Sequence, residues 1–247
     1  MKLKFICCNV FTRMACLAVA LTKSTVDLEF VPMKLHIEPD RLRDRLQQMI
    51  DQTDQSSEDY DAIVLGFGLC GNSTAGLVSQ KHKLVIPRAH DCCTLFMGSV
   101  DSYLKRFKGH LSAGWSCHGY IERDDALCAA TDMYEANGFN QTFEELVEAY
   151  GEDDARYVWD IMHPIDINEP HIYIKVDPFE DMGFYERFQV KAEEDEKKRD
   201  YHKGTDVPQG SSRLLKKLMD GDWDEEFGVF LPGQAIEPSY DLEKVFI

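Results

Sequence analysis

Residues 61–99 read DAIVLGFGLCGNSTAGLVSQKHKLVIPRAHDCCTLFMGS, and the pattern in them decides the fold. Two apolar runs, Ala62-Ile63-Val64-Leu65 and Leu84-Val85-Ile86, are continuous rather than alternating. Strands of that kind are buried on both faces inside a parallel sheet. Each run ends in a loop of reactive side chains, Cys70 in the first and His90, Asp91, Cys92, Cys93 and Thr94 in the second. The pattern predicts one short helix starting just after Cys70 and another just after Cys92. In an open α/β sheet ligands bind outside the carboxyl ends of the strands, so both loops are expected at the functional site.

Working back from this stretch, Leu3 to Cys8 reads as a first strand. Phe11 to Lys23 reads as a helix, with Met14, Leu17, Ala18 and Leu21 at helical spacing. Val26 to Pro32 alternates apolar and acidic residues, which suits a strand nearer the edge. Asp40 is expected to cap a helix running to Gln52, with Leu42, Leu46 and Ile50 as its buried stripe. The first 100 residues thus alternate strand and helix, which implies a mainly parallel sheet.

After Ser99 the pattern loosens. Tyr103 to Lys108 continues a helix, and GHLSAGWSCHGYIERDD (109–125) suits an irregular loop laid over the site, where Trp115, His118 and Glu122 could close it. Residues 142–162 suggest one or two helices capped by Thr142 with Glu145 in capping-box spacing. HIYIKV (171–176) is a strand, the charge run KAEEDEKKRD (191–200) a solvated face, Ser211 to Leu218 a short helix, and FGVFLPGQ within a last apolar strand. The expectation is a single α/β domain over residues 1–247, Rossmann-like or flavodoxin-like. Its mainly parallel sheet would carry helices on both faces, with a core over roughly 1–110 and a helical C-terminal elaboration over 111–247.

With 44 acidic against 27 basic residues the net charge is −17, opposite to a nucleic-acid footprint and unsuited to an anionic membrane surface. The opening MKLKFICC resembles a secretory signal only faintly, because Asn9 and Arg13 interrupt the apolar stretch. No run reaches the ~18–20 apolar residues of a membrane span. All eight cysteines (Cys7, Cys8, Cys16, Cys70, Cys92, Cys93, Cys117 and Cys128) fall in the first 128 residues, at strand ends and in helices rather than spread as a disulfide framework. That usage points to a reduced, cytoplasmic protein with thiols free for metal or redox work.

Three strands finish in cysteine, at Cys7-Cys8, Cys70 and Cys92-Cys93. As neighbours in a doubly wound sheet they would bring those thiols together. Imidazole with thiolates is a zinc ligand set, and more thiolates suit an iron–sulfur cluster. Cys70, His90 and Cys92 are the best candidate ligands, with Cys8 as a fourth. Cys7, Cys93, Cys117 and Cys128 read equally well as small buried hydrophobes. A second reading makes Cys70 or Cys92 a metal-free nucleophile, activated at a helix N-terminus with His90 as base. A third takes Gly66, Gly68 and Gly71 as a G-x-G-x-x-G loop for a dinucleotide or similar cofactor, with Asp91 following. Against it, the loop follows the third strand, and its glycines suit a tight turn just as well. Arg88 could hold a carboxylate or phosphate of a small-molecule substrate. Asn72 and Thr94 could orient a bound group, and Asp91 could orient a ligand from behind.

In YDAIVLGFGLC-N, LVIPRAHDC-TLF-GS, VDLEFVPMKLH, YGEDDARY and MDGDWDEEF the chain resembles a family known as a domain of unknown function, of the 1638 type, common in methanogens and other anaerobes. The resemblance runs over nearly the whole chain, and Cys8, Cys16, Cys70 and Cys92 fall within its motifs. It implies neighbourhood to corrinoid-dependent methyltransferases, a corrinoid protein as partner, and one-carbon metabolism, with the chain either a metal-binding methyltransferase or its accessory, or else a non-enzymatic carrier or chaperone of a corrinoid or metal. His90-Asp91-Cys92 also has the His-x-Cys form by which zinc-dependent methylcobamide:thiol methyltransferases, on a different fold, hold their metal. Zinc on thiolates would hold an incoming thiol as thiolate, ready to take a methyl group.

Overall fold

The computed structural model describes residues 1–107, 114–124, 143–152, 154–156, 170–199, 204–239 and 245–246. Four parallel strands, β1 (Lys2–Cys8), β2 (Thr25–Val31), β3 (Ala62–Gly66) and β4 (Lys83–Pro87), stand in the order β2-β1-β3-β4. The fold is α/β with a mostly parallel sheet, of the Rossmann or flavodoxin kind. All five residues of β3 are buried, as are the last four of β4, which is why both read as unbroken apolar runs. β2 lies at the edge, and its alternating burial follows.

A fifth strand, β8 (Phe227–Phe230), closes the other edge antiparallel to β4. Helix α1 (Thr12–Leu21) packs beside α8 (Arg213–Asp220), α8 also covers β3 and β4, and α2 (Pro39–Gln55) lies against β1. Leu42, Leu46 and Ile50 form the buried stripe of α2 as expected. Its cap differs from expectation: Glu38 holds the N-cap position and Pro39 opens the helix, a place where the missing N–H of proline costs nothing. Asp40 sits within the first turn, where its charge suits the helix dipole.

Two sequence expectations change. No helix forms between β3 and β4; residues 67–82 run as loop and turns. Cys70, Gly71 and Asn72 all take positive φ, at 47°, 65° and 67°, and consecutive left-handed residues cannot start a right-handed helix. Nor is 114–124 an irregular loop. It forms β5 (Trp115–Cys117) and α5 (His118–Asp124). With β6 (His171–Ile174) and β7 (Thr205–Asp206), β5 makes a second, three-stranded parallel sheet. A three-residue strand paired more than fifty residues away leaves no local period to read.

Beyond residue 111 the chain is thus helical and also carries this sheet, with α6 (Phe143–Tyr150) and α7 (Phe184–Arg199), which includes the charge run up to Arg199. The expected cap at Thr142 and Cys128 lie outside the described residues. No helix among the described residues is long and apolar enough to cross a membrane.

Helices α3 (Cys92–Met97) and α4 (Val100–Phe107) follow β4. The C-terminal part docks on α3 through Ser211 N–H to Phe96 O at 2.8 Å and Arg213 Nε to Gly98 O at 3.1 Å. A Cβ on Gly210 would lie 2.4 Å from Phe96 O, so glycine is what permits that approach.

Candidate functional site

The strand order reverses between β1 and β3, since β1 sends the chain outward to β2 and β3 lies on its other side. Crevices for ligands open at such a reversal, outside the carboxyl ends. Cys8 ends β1 there. Cys70 follows β3, and Cys92 opens α3 after β4. The loops after β3 and β4 are laced together by Leu69 N–H to Ala89 O and Cys70 N–H to His90 O, both 2.8 Å. Gly68 makes this possible, because a Cβ there would stand 2.8 Å from Ala89 O and 2.9 Å from Asp91 N. Cys8 is buried, and Cys70 and Cys92 are half-buried.

Cys8, Cys70 and Cys92 thus lie at neighbouring strand ends. They are close enough for charge on one to oppose charge on the others. Burial pushes all three thiols up, Cys8 to about 12. For Cys70 and Cys92 the next cause is the negative charge of Asp91. Among the described residues, no three His, Cys, Asp or Glu side chains are gathered so that they could hold a metal ion as they stand.

One residue at this place escaped the sequence. Tyr120 is buried, and its phenol oxygen lies 3.0 Å from Cys92 Sγ. Its neighbour Gly119 rests on the turn after β1, where a Cβ would come within 2.0 Å of Val10 O, and that contact seats α5 over the end of β1. Trp115 packs edge-on to Tyr120 at 5.3 Å, and Phe96 lies 6.5 Å away. A glycine between two polar aromatic residues (His118-Gly119-Tyr120) is the local signal that could have marked this helix.

The remaining candidates take other places. Asp91 is the N-cap of α3, accepting from Thr94 N–H at 3.3 Å, and burial raises its carboxyl above the usual range. Thr94 is buried under that cap. Arg88 donates to Phe246 O at 2.6 Å, so it fastens the C-terminal segment. Asn72 is exposed, with its carbonyl accepting from Arg43 at 2.7 Å. His90 is half-buried, and its carbonyl joins the loop lacing.

Gly66 lies in β3, where a Cβ would strike Cys7 Sγ at 2.5 Å. Gly71 takes the left-handed φ noted above. Packing and turn geometry thus account for all three glycines, and the helix N-terminus that a dinucleotide fingerprint places under the pyrophosphate is missing. Cys7, Cys93 and Cys117 are buried hydrophobes, as one reading expected.

A family model matches residues 30–219, well over half of the chain, and its description is "Protein of unknown function (DUF1638)". The chain belongs to this family. The matched span includes Cys70, His90, Cys92 and Tyr120 and begins after β1, so Cys8 lies outside it. Neither a curated protein nor a solved structure matches the chain.

Proposed function

We propose that Cys8, Cys70 and Cys92 form a thiolate metal centre, with zinc as the ion, and that it serves methyl transfer to a thiol in corrinoid-linked one-carbon metabolism. The observation that supports it most is the meeting of three thiols from three adjacent strand ends where the charges acting most strongly on Cys70 and Cys92 are all negative. A soft divalent cation would answer those negative charges and favour the thiolates, beyond what the Arg123 charge acting on Cys8 does. The same electrostatics count against a metal-free nucleophile, which needs a thiol pushed down rather than up.

Backbone strain points the same way. Cys70 holds a left-handed φ of 47°, where glycine would sit without strain. Strain retained at a non-glycine residue is common where the side chain has a task. Since the thiols are not gathered at metal-holding positions as they stand, the turn that carries Cys70 would have to move inward for Cys8, Cys70 and Cys92 to hold the ion. Bound zinc would lower the pKa of an incoming thiol. Tyr120 would hydrogen-bond Cys92, and Trp115 and Phe96 would wall off water. The methyl donor would be a methyl-corrinoid presented by a partner protein: an S–C bond forms, the cobalt–carbon bond breaks with its electron pair left on cobalt, and the thiol proton is released.

The test is metal analysis of protein purified without oxygen, beside Cys92→Ser. About one zinc per chain, lost in the variant, is the expected result. Iron with acid-labile sulfide would replace zinc by a cluster, and no metal at all would overturn the centre. With zinc present, transfer from methylcobalamin to 2-mercaptoethanol, read from loss of the methyl–cobalt absorbance, tests the reaction. A loaded but inactive protein would leave a zinc site and remove the methyl-transfer reading.

A further inference from the structure

A second place in the molecule asks for a ligand, and it uses none of the thiols. Beyond the carboxyl ends of β5 and β6 lies a pocket lined by His118, Tyr173, Lys175, Val176, Phe179, Glu180 and Tyr185, with about 200 Å³ of empty space including its open mouth. Phe96 separates it from the thiol site, with ring centres 5.7 Å from His118 and 6.5 Å from Tyr120. His118 is 2% exposed, and neither ring nitrogen has a hydrogen-bond partner among the described residues. A buried imidazole with both nitrogens unpaired is costly unless something absent from the protein itself completes it.

We infer that this pocket binds a small organic ammonium ion, held by His118 and Glu180 among the aromatic rings. Three features of the lining select that class. The walls are largely aromatic, Tyr173, Phe179 and Tyr185, and aromatic rings attract organic cations. The mouth is acidic: Glu180 lines it, Asp177 hydrogen-bonds Glu180, and Asp181 is adjacent, against Lys175 and against Arg13, whose charge reaches His118 but which is paired with Glu122. The Lys175 ammonium already sits on Glu180 at 2.6 Å, so the pocket's own side chain shows which charge that carboxylate attracts. Burial also pushes His118 down to about 4, which keeps the ring neutral near pH 7. Its bare nitrogen can then accept an N–H bond from the guest with no proton uptake. The space that a water-sized sphere can enter is only about 10 Å³, about one water's worth, so the guest has no more than two or three heavy atoms and reaches out through the open mouth.

Two substitutions at the mouth give opposite signs, which a merely structural role would not produce. Glu180→Gln removes the counter-charge and should weaken binding about tenfold, the worth of one charge-assisted hydrogen bond. Lys175→Met removes the internal competitor and should tighten binding several-fold. Both side chains are partly exposed, so the fold is expected to tolerate each change, with circular dichroism as the check.

The experiment titrates methylammonium chloride into the full-length chain while following the histidine side-chain nitrogens by NMR, with His118 assigned through His118→Gln. The expected result is a saturable shift of the His118 signals, weaker in Glu180→Gln, stronger in Lys175→Met, and absent with sodium acetate. Acetate binding with the two signs reversed would overturn the ammonium class. A His118 signal unmoved by either salt would overturn the site. Neither outcome bears on the metal content that tests the thiol centre.

Discussion

The phenol oxygen of Tyr120 and the sulfur of Cys92 stand 3.0 Å apart, joining a helix of the second sheet to the first residue of the helix after β4. Burial raises the Cys92 thiol most strongly and Asp91 next, and the phenol works in the opposite direction by favouring the thiolate. Tyr120→Phe keeps the ring contacts with Trp115 and Phe96 and deletes that one bond. The Cys92 pKa should rise further, and in metal-free protein at pH 8 alkylation of Cys92 should slow about tenfold for each unit gained. Iodoacetamide labelling, read at Cys92 by mass spectrometry, gives the rate; an unchanged rate would mean the contact does not govern the thiol.

Cys70 provides a test of strain kept for function. A non-glycine residue in left-handed backbone costs roughly 1–2 kcal/mol, and Cys70 sits at a φ of 47° beside two more left-handed residues. Cys70→Gly should therefore hold or raise stability by about 1 kcal/mol in urea unfolding, while abolishing metal retention. Cys70→Ala keeps the strain and should gain nothing. Equal loss of stability in both variants would show that the side chain is there for packing.

Gly68 separates two backbones rather than cradling a phosphate. A methyl group at this position meets Ala89 O and the Asp91 backbone, neither of which can swing aside as a side chain could. Gly68→Ala should cost about 1–3 kcal/mol, the range for forcing atoms into a packed interior, and should part the laced loops that hold Cys70 near Cys92. Thermal unfolding gives the first effect and loss of bound metal the second.

The parts of this arrangement that sequence revealed are those with short-range causes. The apolar runs of β3 and β4 are unbroken because both faces are buried, so the identity of these strands was legible, and with it the place of Cys70 and Cys92 in the loops that follow them. The helix expected after Cys70 does not form, because Cys70, Gly71 and Asn72 all hold positive φ. Backbone sign, which no side-chain pattern reports, turns the chain the other way. Arg88 has the chemistry of an anion binder, and the carbonyl it donates to, that of Phe246, is 158 residues away. Tyr120 was missed for a similar reason: β5 exists through pairing with β6, and Gly119 matters through the Val10 carbonyl. Both are long-range relationships.

At the opposite end of the sheet, before β4, Asp54 gathers a cluster of polar partners. Asp54 accepts from Ser79 Oγ at 2.7 Å and Gln80 N–H at 2.7 Å, and its Oδ1 lies 2.9 Å from His82 Nδ1 on a buried ring. Burial alone would raise the Asp54 carboxyl, but the bonds from Ser79, His82 and Gln80 outweigh it and hold the group below its ordinary value of 3.8. A carboxyl depressed in the folded state stabilises the fold at pH values above its unfolded pKa, and that contribution is lost as pH falls through the folded value. Asp54→Ala should thus cost about 2–4 kcal/mol at pH 7, from bonds to a charged acceptor and the donors left unpaired. The gap between wild type and variant should stay level from pH 7 down to about 5 and narrow below 3.8. Urea unfolding of both proteins across that range is the measurement. A gap that stays constant into strong acid would show that the carboxyl's shape, rather than its charge, holds the turn before β4.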